Sequence, residues 1–488
     1  MGKLLSGSEH MTNLLWIKND LRFEDNTALI NAVEDSFKYN ENLLIIFYID
    51  PNQLKNGQMS HNYFFKAVDI FYKELKNLGL DMFFLYGDLI KSFQKLIDDF
   101  PDISRVYYNC DESGYGYFRD MKVIELFKEA SIKCTGYMDK NLHQAKEIMT
   151  ASNSYYKVFT PYYLKWKDRV KNSELILDFN KIKSLKSKEH GDKDLYAKER
   201  YLEIIKDIKN PFDNIIGEAN GKKILTKFID EKLSEYHKTR DYPHLNATSH
   251  MSNFLATGQI SVRKVYKMVC SAENTLGKDA YIRELAWRDF FNMLYHFNPN
   301  QKEESLNDKY RSLNWVNDEN QIDAWMKGET GFPIVDAAMR QLNAEGFIHN
   351  RLRMIVASFL VKDLLVDWRI GERYFANKLI DYDSSSNIGN WQWIASVGAD
   401  AVPYFRIFNP TVQSIKFDKE GTFIKKYVKE LADLPFPYIH QPYKYKDKIK
   451  NDFGLDVNKS YKKPIVDHDI QRHKAIEMFK KMEGIYEA

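Results

Sequence analysis

The chain has 488 residues, 44% of them hydrophobic and 28% charged, with a formal net charge of +3. That length supplies two or three domains with sizeable cores, and so mild a charge excludes a global field for nucleic acid, leaving only a local patch. Three cysteines with no CxxC pair exclude an iron–sulfur tetrad and a disulfide framework, and no apolar run reaches the roughly 20 residues that span a bilayer. No metal-ligand set is expected. The first residues show no signal-peptide core, so a reduced, cytoplasmic setting is expected.

In chain order, "NLLWI", "NLLIIFYI", "DMFFLY" and "RVYYN" are unbroken β-rich runs, the pattern of strands buried on both faces of a parallel sheet. Between the second and third, Ser60 to Leu78 reads as a helix. Ser60 is its predicted N-cap, Gly79 its stop, and Phe64, Val68, Phe71, Leu75 and Leu78 its apolar stripe. Strand–helix alternation predicts a doubly wound α/β domain over about Thr12 to Gln144. No GxGxxG follows the first strand and no Walker A sequence occurs, so an ordinary dinucleotide or P-loop site is not expected in this half. Lys167 to about Gly217 is rich in Lys, Asp, Asn and Ser with weak periodicity, and reads as a solvated connection.

From Lys222 onward helical periodicity takes over. In "YHKTRDYPHLNATSHMSNFLATGQIS" (236–261), hydroxyls at Thr248, Ser249 and Ser252, with N–H groups at a helix start, can hold a pyrophosphate; alone, "TSHMS" is more simply an N-cap. In "YIRELAWRDFFNMLYHFNP" (281–299), Glu284, Trp287 and Arg288 fall within about one helical turn, so a carboxylate, an indole and a guanidinium can converge. The plainer reading is a solvated ion pair beside a core Trp. Gly346 then ends one helix and Asn350 is the predicted cap of the next, which turns Leu352, Ile355, Val356, Phe359 and Leu360 to a core. Arg351 and Arg353 at its start oppose the helix dipole unless an anion or partner is present. Finally, Leu379 to Pro410 gathers Asp381, Asp383, the polar run Ser384 to Asn387, Trp391, Trp393 and a lone Arg406 between aromatics. So much π surface in a polar, Gly-punctuated segment suits a ligand-holding element, whereas an isolated Trp pair would be core anchors.

"HNRLRM" (349–354), "DWRIGERYF" (367–375) and "GNWQWIASVGADAVPYFRIFNP" (389–410) resemble the photolyase/cryptochrome flavoproteins, and within them the class I cyclobutane pyrimidine dimer photolyases, from about Met11 onward. The resemblance implies an N-terminal Rossmann-like α/β domain at 11–144, a connection at 145–217 that includes "YYKVFTPYYLKW" (155–166), and an all-helical FAD- and DNA-binding domain at 218–488. Residues 1–10 precede the family pattern and read as a leader. The cofactor implied is noncovalent FAD. Its phosphates would meet Tyr236, Thr248, Ser249, Met251 and Ser252, with His250 departing from the usual Arg. Arg288 would lie at its DNA end, and Arg353 would pair with Asp381 beside the flavin. Asp383 would line the flavin, and Asn387 would sit by its redox-active nitrogen.

Trp391, Trp368 and Trp315 match the family's electron-transfer triad, in which the hole moves outward from the flavin. Glu284, Trp287, Asn350, Met354 and Trp393 match its dimer site, with Arg351 and Arg406 on the DNA side. A second, antenna chromophore is compatible with the family but not identified, because Ser113 and Gly116 stand where folate-binding members show Glu. The implied activity is blue-light repair of cyclobutane dimers in DNA by a monomer, with the dimer flipped from the stack and held through phosphate contacts carrying little sequence readout. The second reading is a cryptochrome-type photoreceptor, against which the intact dimer-site set and the lack of a long tail after "PIVDH" (464–468) both speak. A (6-4) lyase would carry a second His at Asn350, and a light-independent flavin oxidoreductase would need a nicotinamide site that is not visible.

Overall fold

The computed structural model describes residues 11–169, 171–185, 197–208 and 212–484, so the leader reading for 1–10 lies outside the described residues. By packing, the chain forms two compact units. One comprises the chain up to Ile148, Lys165–Ile229 and Ser249–Glu273; the other comprises Met149–Leu164, Asp230–Thr248 and the chain from Asn274 onward.

The first unit is built on β1 (Thr12–Ile17), β2 (Asn42–Ile49), β3 (Met82–Tyr86), β4 (Ile103–Asn109) and β5 (Lys133–Tyr137), in the order β3-β2-β1-β4-β5. Every pair is parallel, with Leu14 opposite Leu44 on one side and Val106 on the other. Helices α1 (Thr27–Tyr39), α2 (Met59–Asn77), α3 (Leu89–Asp99) and α4 (Gly114–Glu129) alternate with the strands, which is why β1 is buried along its whole length. The predicted α/β architecture is therefore present, and the order of strands reverses between β1 and β4. β5 was not predicted. Its sequence, KCTGY, is a half-exposed edge with a glycine, and neither an apolar run nor strict alternation marks it.

The predicted helix 60–78 differs at its start. α2 begins at Met59, and Gln58 precedes it without a capping side chain, so Ser60 lies inside the first turn and is not the cap. Val68, Phe71 and Leu75 are buried, while Phe64 and Leu78 are only half-buried. Gly79 does stop the helix, in the left-handed region at φ +82.

The second unit is helical, and its core joins Trp325, Trp368, Trp391, Phe359, Leu360, Phe375 and Ile388, with Trp315 and Trp393 packed at the margin. The Pro333–Glu345 helix ends at Gly346 as predicted, with φ +64. The next helix, Asn350–Ser358, is capped by His349 and not by Asn350: Nδ1 of His349 accepts from the Arg351 N–H at 3.1 Å. Burial holds this imidazole at about 4, so it stays neutral and keeps the lone pair the cap requires. Asn350, relieved of capping, lies exposed at the first helical position.

That helix runs into a π-turn, Phe359–Asp363, before Trp368–Lys378 begins behind its N-cap Asp367. The C-terminal helix His468–Glu483 covers the turn. Lys362 is 1% exposed, donates from Nζ to Ser396 Oγ at 2.9 Å, and lies 3.9 Å over the Phe479 ring; Asp363 beside it pairs with His468 at 2.5 Å. Burial lowers the Lys362 pKa to about 7 from 10.5. Between those values the unfolded chain holds a proton that the folded chain lacks, so stability from this group rises with pH. Unfolding free energy should climb by on the order of 1 kcal/mol per pH unit just above pH 7. The climb should be absent in Lys362→Met, as read by denaturant titrations at pH 7, 8 and 9.

Candidate functional site

The Trp368–Lys378 and Ser384–Ile394 helices approach closely at Gly371, where a Cβ would run into the indole of Trp391 and a methyl of Leu360. The approach brings the next residue, Glu372, to the second helix one turn before Trp391. Glu372 is 2% exposed, and its Oε1 accepts from Asn387 Nδ2 at 3.1 Å and from the Tyr382 hydroxyl at 3.1 Å. Burial and the Glu372 carboxylate raise Tyr382 well above the ordinary tyrosine range, so it remains a donor. With its amide N–H committed, Asn387 has its carbonyl oxygen available.

Asn387 and Trp391 line a pocket open to solvent. Asn350, Met354 and Trp393 share it, as do Arg353, Asp381 and Asp383. Eight of the residues singled out from sequence therefore converge on one pocket. Arg353 donates to Asp381 Oδ2 at 2.7 Å and, through Nε, to the Ile348 carbonyl at 2.8 Å. The other carboxylate oxygen of Asp381 is buried with no hydrogen-bond partner among the described residues, which fits an acceptor awaiting a ligand N–H or hydroxyl. Asp383 has a structural task as well: it caps the Ser384–Ile394 helix, accepting from the Ser386 N–H at 2.9 Å and the Ser385 hydroxyl at 2.6 Å. Ser386, from the polar run singled out in the sequence, also lines the pocket, as do Tyr382 and Asn390, which were not predicted because nothing in a lone Tyr or Asn announces its direction.

The three indoles fall on connected elements. Trp391 rests on Gly371, one turn after Trp368 on the same helix. Trp315 precedes Val316, whose N–H donates to Leu365 at 2.8 Å, and Asp367 donates to Asn317 at 2.8 Å, tying the Trp315 segment to the start of the Trp368 helix. Trp391 and Trp368 are buried, with Trp315 at the margin.

Glu284, Trp287 and Arg288 lie half-buried on the Leu276–Phe297 helix and do not line the cavity. Glu284 pairs with Arg240, a partner that sequence reading missed because it lies far away in a segment read for its hydroxyls. Desolvation holds Glu284 above the usual glutamate value, with the Arg240 guanidinium pulling the other way. Trp287 has one face covered by Phe159, with ring centres 3.5 Å apart and planes 6° from parallel, and Phe291 is offset against it at 5.5 Å. It does not offer two free faces. Arg351 has the anionic partner that a cation at a helix start calls for. It pairs with Asp241 at 2.9 Å and stacks on Phe417. Arg406 is exposed, in a loop beside the exposed Phe405.

The expected phosphate segment divides between the units, Tyr236 and Thr248 with the helices, Ser249, Met251 and Ser252 with the sheet. Ser252 opens a helix of five residues whose N-cap is Met251 without any side-chain cap, so the simple N-cap reading of "TSHMS" does not hold. Ser249 Oγ instead accepts from the Met251 N–H at 3.3 Å across His250, which has φ +54.

Two family models match the chain: "DNA photolyase" over residues 13–181 and "FAD binding domain of DNA photolyase" over 281–481, the latter spanning the whole pocket. A deoxyribodipyrimidine photo-lyase of Alkalihalophilus pseudofirmus is 41% identical over 97% of this chain and 99% of its own length. The chain belongs to the DNA photolyase family. The Escherichia coli photolyase is 34% identical over 94% of the chain and 96% of its own. Among solved structures, a class III photolyase from Agrobacterium tumefaciens matches with TM-score 0.90 at 30% identity, covering 99% of this chain and 100% of that one. An archaeal photolyase from Sulfolobus tokodaii, solved with two FAD molecules, matches with TM-score 0.81 at 32% identity, covering 96% of this chain and 100% of that one. This photolyase-family chain thus carries the family's FAD-binding domain in its helical part. Among the described residues, no helix is long and apolar enough to cross a membrane.

The Arg353–Asp381 pair gives a direct test of the pocket. Asp381 is 7% exposed, so Arg353→Ala strands a buried charge, for which a loss of about 3 kcal/mol is expected. Urea unfolding should show that loss, and the purified variant should carry less flavin absorbance than the wild type.

Proposed function

We propose that the protein repairs cyclobutane pyrimidine dimers in DNA under blue light, in the manner of the class I photolyases, as a monomer. The observation that supports it is the shared pocket, in which Asn350, Met354 and Trp393 stand beside Arg353, Asp381, Asn387 and Trp391. By resemblance the first set meets the dimer and the second the flavin. FAD, when bound and fully reduced, supplies on excitation the electron that splits the dimer and receives it back.

The chain's own groups do the positioning. Arg353 and Asp381 form a fixed charged pair with one carboxylate oxygen to spare. Glu372 holds the Asn387 amide so that its carbonyl oxygen meets a ligand donor. Asn350, exposed at the first position of a helix, and Met354, half-buried one turn later, offer a polar and a soft contact to bases leaving the duplex stack, and Trp393 offers a π face. Glu284 and Trp287 extend this surface along the Leu276–Phe297 helix, with Arg288 and Arg406 as phosphate contacts. Trp391, Trp368 and Trp315, connected through Gly371 and the Val316–Leu365 bond, provide the route by which an oxidised cofactor is reduced from outside. Tyr236, Thr248, Ser249, Met251 and Ser252 are the proposed phosphate contacts of the cofactor.

Loss of dimers from an irradiated oligonucleotide should occur with reduced enzyme under blue light and not in the dark. A flavin-loaded, fully reduced protein that leaves dimers intact under light would move the reading to a photoreceptor. In a separate experiment, Trp391→Phe should abolish photoreduction of the oxidised protein while chemically prereduced enzyme still repairs. Undiminished photoreduction would remove the proposed route.

A further inference from the structure

The dipeptide Arg240–Asp241 gives its two charges to two different helices. Arg240 pairs with Glu284 on Leu276–Phe297, and Asp241 forms an ion pair with Arg351 at the start of Asn350–Ser358, Oδ1 lying 2.9 Å from Nη2. Arg351 is clamped from its other side by Phe417, whose ring centre lies 4.4 Å from the guanidinium carbon, and its Nε is buried with no hydrogen-bond partner among the described residues. The Arg351 side chain is 18% exposed and that of Asp241 38%. Two cations and two anions thus cancel in one group, of which Arg351 adjoins the pocket-lining Asn350, in a family whose ligand is a polyanion.

We propose that Asp241 is a specificity-determining residue. By keeping Arg351 ion-paired it withholds this cation from ordinary backbone phosphates and yields it only to a nucleotide seated at Asn350. The inference rests on the reading that this surface meets DNA. A phosphate approaching from solvent meets the Asp241 carboxylate within the screening distance of about 10 Å at 0.1 M salt, so part of the attraction to Arg351 is cancelled wherever the strand passes. A nucleotide drawn into the pocket arrives beside Asn350, the neighbour of Arg351, with its other contacts already made. There a planar guanidinium held by Phe417 and Asp241 loses little rotamer freedom on forming one more bond. Weakening the unwanted complex more than the wanted one is how discrimination is gained without new contacts. The same carboxylate also adds to the upward push on Glu284, after desolvation, so the four charges behave as one group.

The test uses flavin-loaded protein in the dark, with an undamaged duplex and the same duplex carrying one cyclobutane dimer, each titrated over a salt series. Asp241→Asn removes the charge and keeps the shape. Its affinity for undamaged DNA should rise about threefold to tenfold at low salt, and the slope of log affinity against log salt should steepen by about 0.9, one phosphate's worth. Affinity for the dimer should change less than twofold, so the preference for damage falls. The gain should vanish in Asp241→Asn combined with Arg351→Ala. Unchanged or weaker binding of undamaged DNA by Asp241→Asn overturns the inference, as does a gain that survives in the double variant. Arg351→Ala alone gives a second check that does not need Asp241 altered: it should weaken dimer binding while leaving undamaged binding within about twofold. The reverse pattern also overturns the inference. A wild-type protein that binds neither duplex would instead remove the proposed function. One that prefers the dimer, with Asp241→Asn indistinguishable from it, removes this inference alone.

Discussion

The close approach of two helices at Gly371 is the constraint on which the pocket depends. Only a residue without a side chain lets the Trp391 indole lie directly on the Trp368–Lys378 helix. Once it does, three other placements follow from helical geometry. Trp368 stands one turn back on the same helix, Glu372 comes within hydrogen-bond reach of Asn387, and Asn387, one turn before Trp391, shares its side of the second helix. A pocket wall, a connected set of indoles and an oriented amide thus share one packing contact. Electrostatics then refines what packing has placed. Arg353 gives the buried Asp381 carboxylate an ion-pair partner, and the Tyr382 hydroxyl donates to Glu372 Oε1 beside the Asn387 amide.

Much of the α/β unit was legible because its first four strands are continuous apolar runs and a doubly wound sheet demands that pattern. β5 was not, since an edge strand is under no obligation to be apolar. The two misread helix starts have a common cause. Ser60 and Asn350 are good caps by type, but capping depends on the backbone conformation of one residue, and Gln58 and His349 occupy those positions. A histidine cap is invisible by residue preference and becomes sensible only when burial is seen to keep the ring neutral.

The candidate site divides in the same way. Residues in the 349–394 stretch are close in sequence and fall on three consecutive helices, so their convergence was foreseeable from the motifs. Other partners come from elsewhere: Asp241 reaches Arg351, and Arg240 reaches Glu284, from a short segment before the Leu276–Phe297 helix, and Phe159, from far earlier in the chain, covers Trp287. No periodicity or spacing encodes a pairing between a loop acid and a helix arginine more than a hundred positions away. The partner that the sequence called for at Arg351, without being able to name it, is supplied in just this manner.

The route of the backbone has a consequence for how such a protein is made. Neither compact unit is a continuous stretch, because the chain passes from one to the other five times. Segment Met149–Leu164 belongs with helices that leave the ribosome much later, so the Phe159 ring has no Trp287 to rest on until most of the chain has been synthesised. The sheet unit is likewise incomplete until Ser249–Glu273 emerges. Folding is thereby deferred toward the end of synthesis, and the nascent chain carries exposed aromatic surface in the meantime, the circumstance in which chaperone engagement matters most. A gene cut between the two halves would not yield two proteins, since each fragment would lack pieces of its own core.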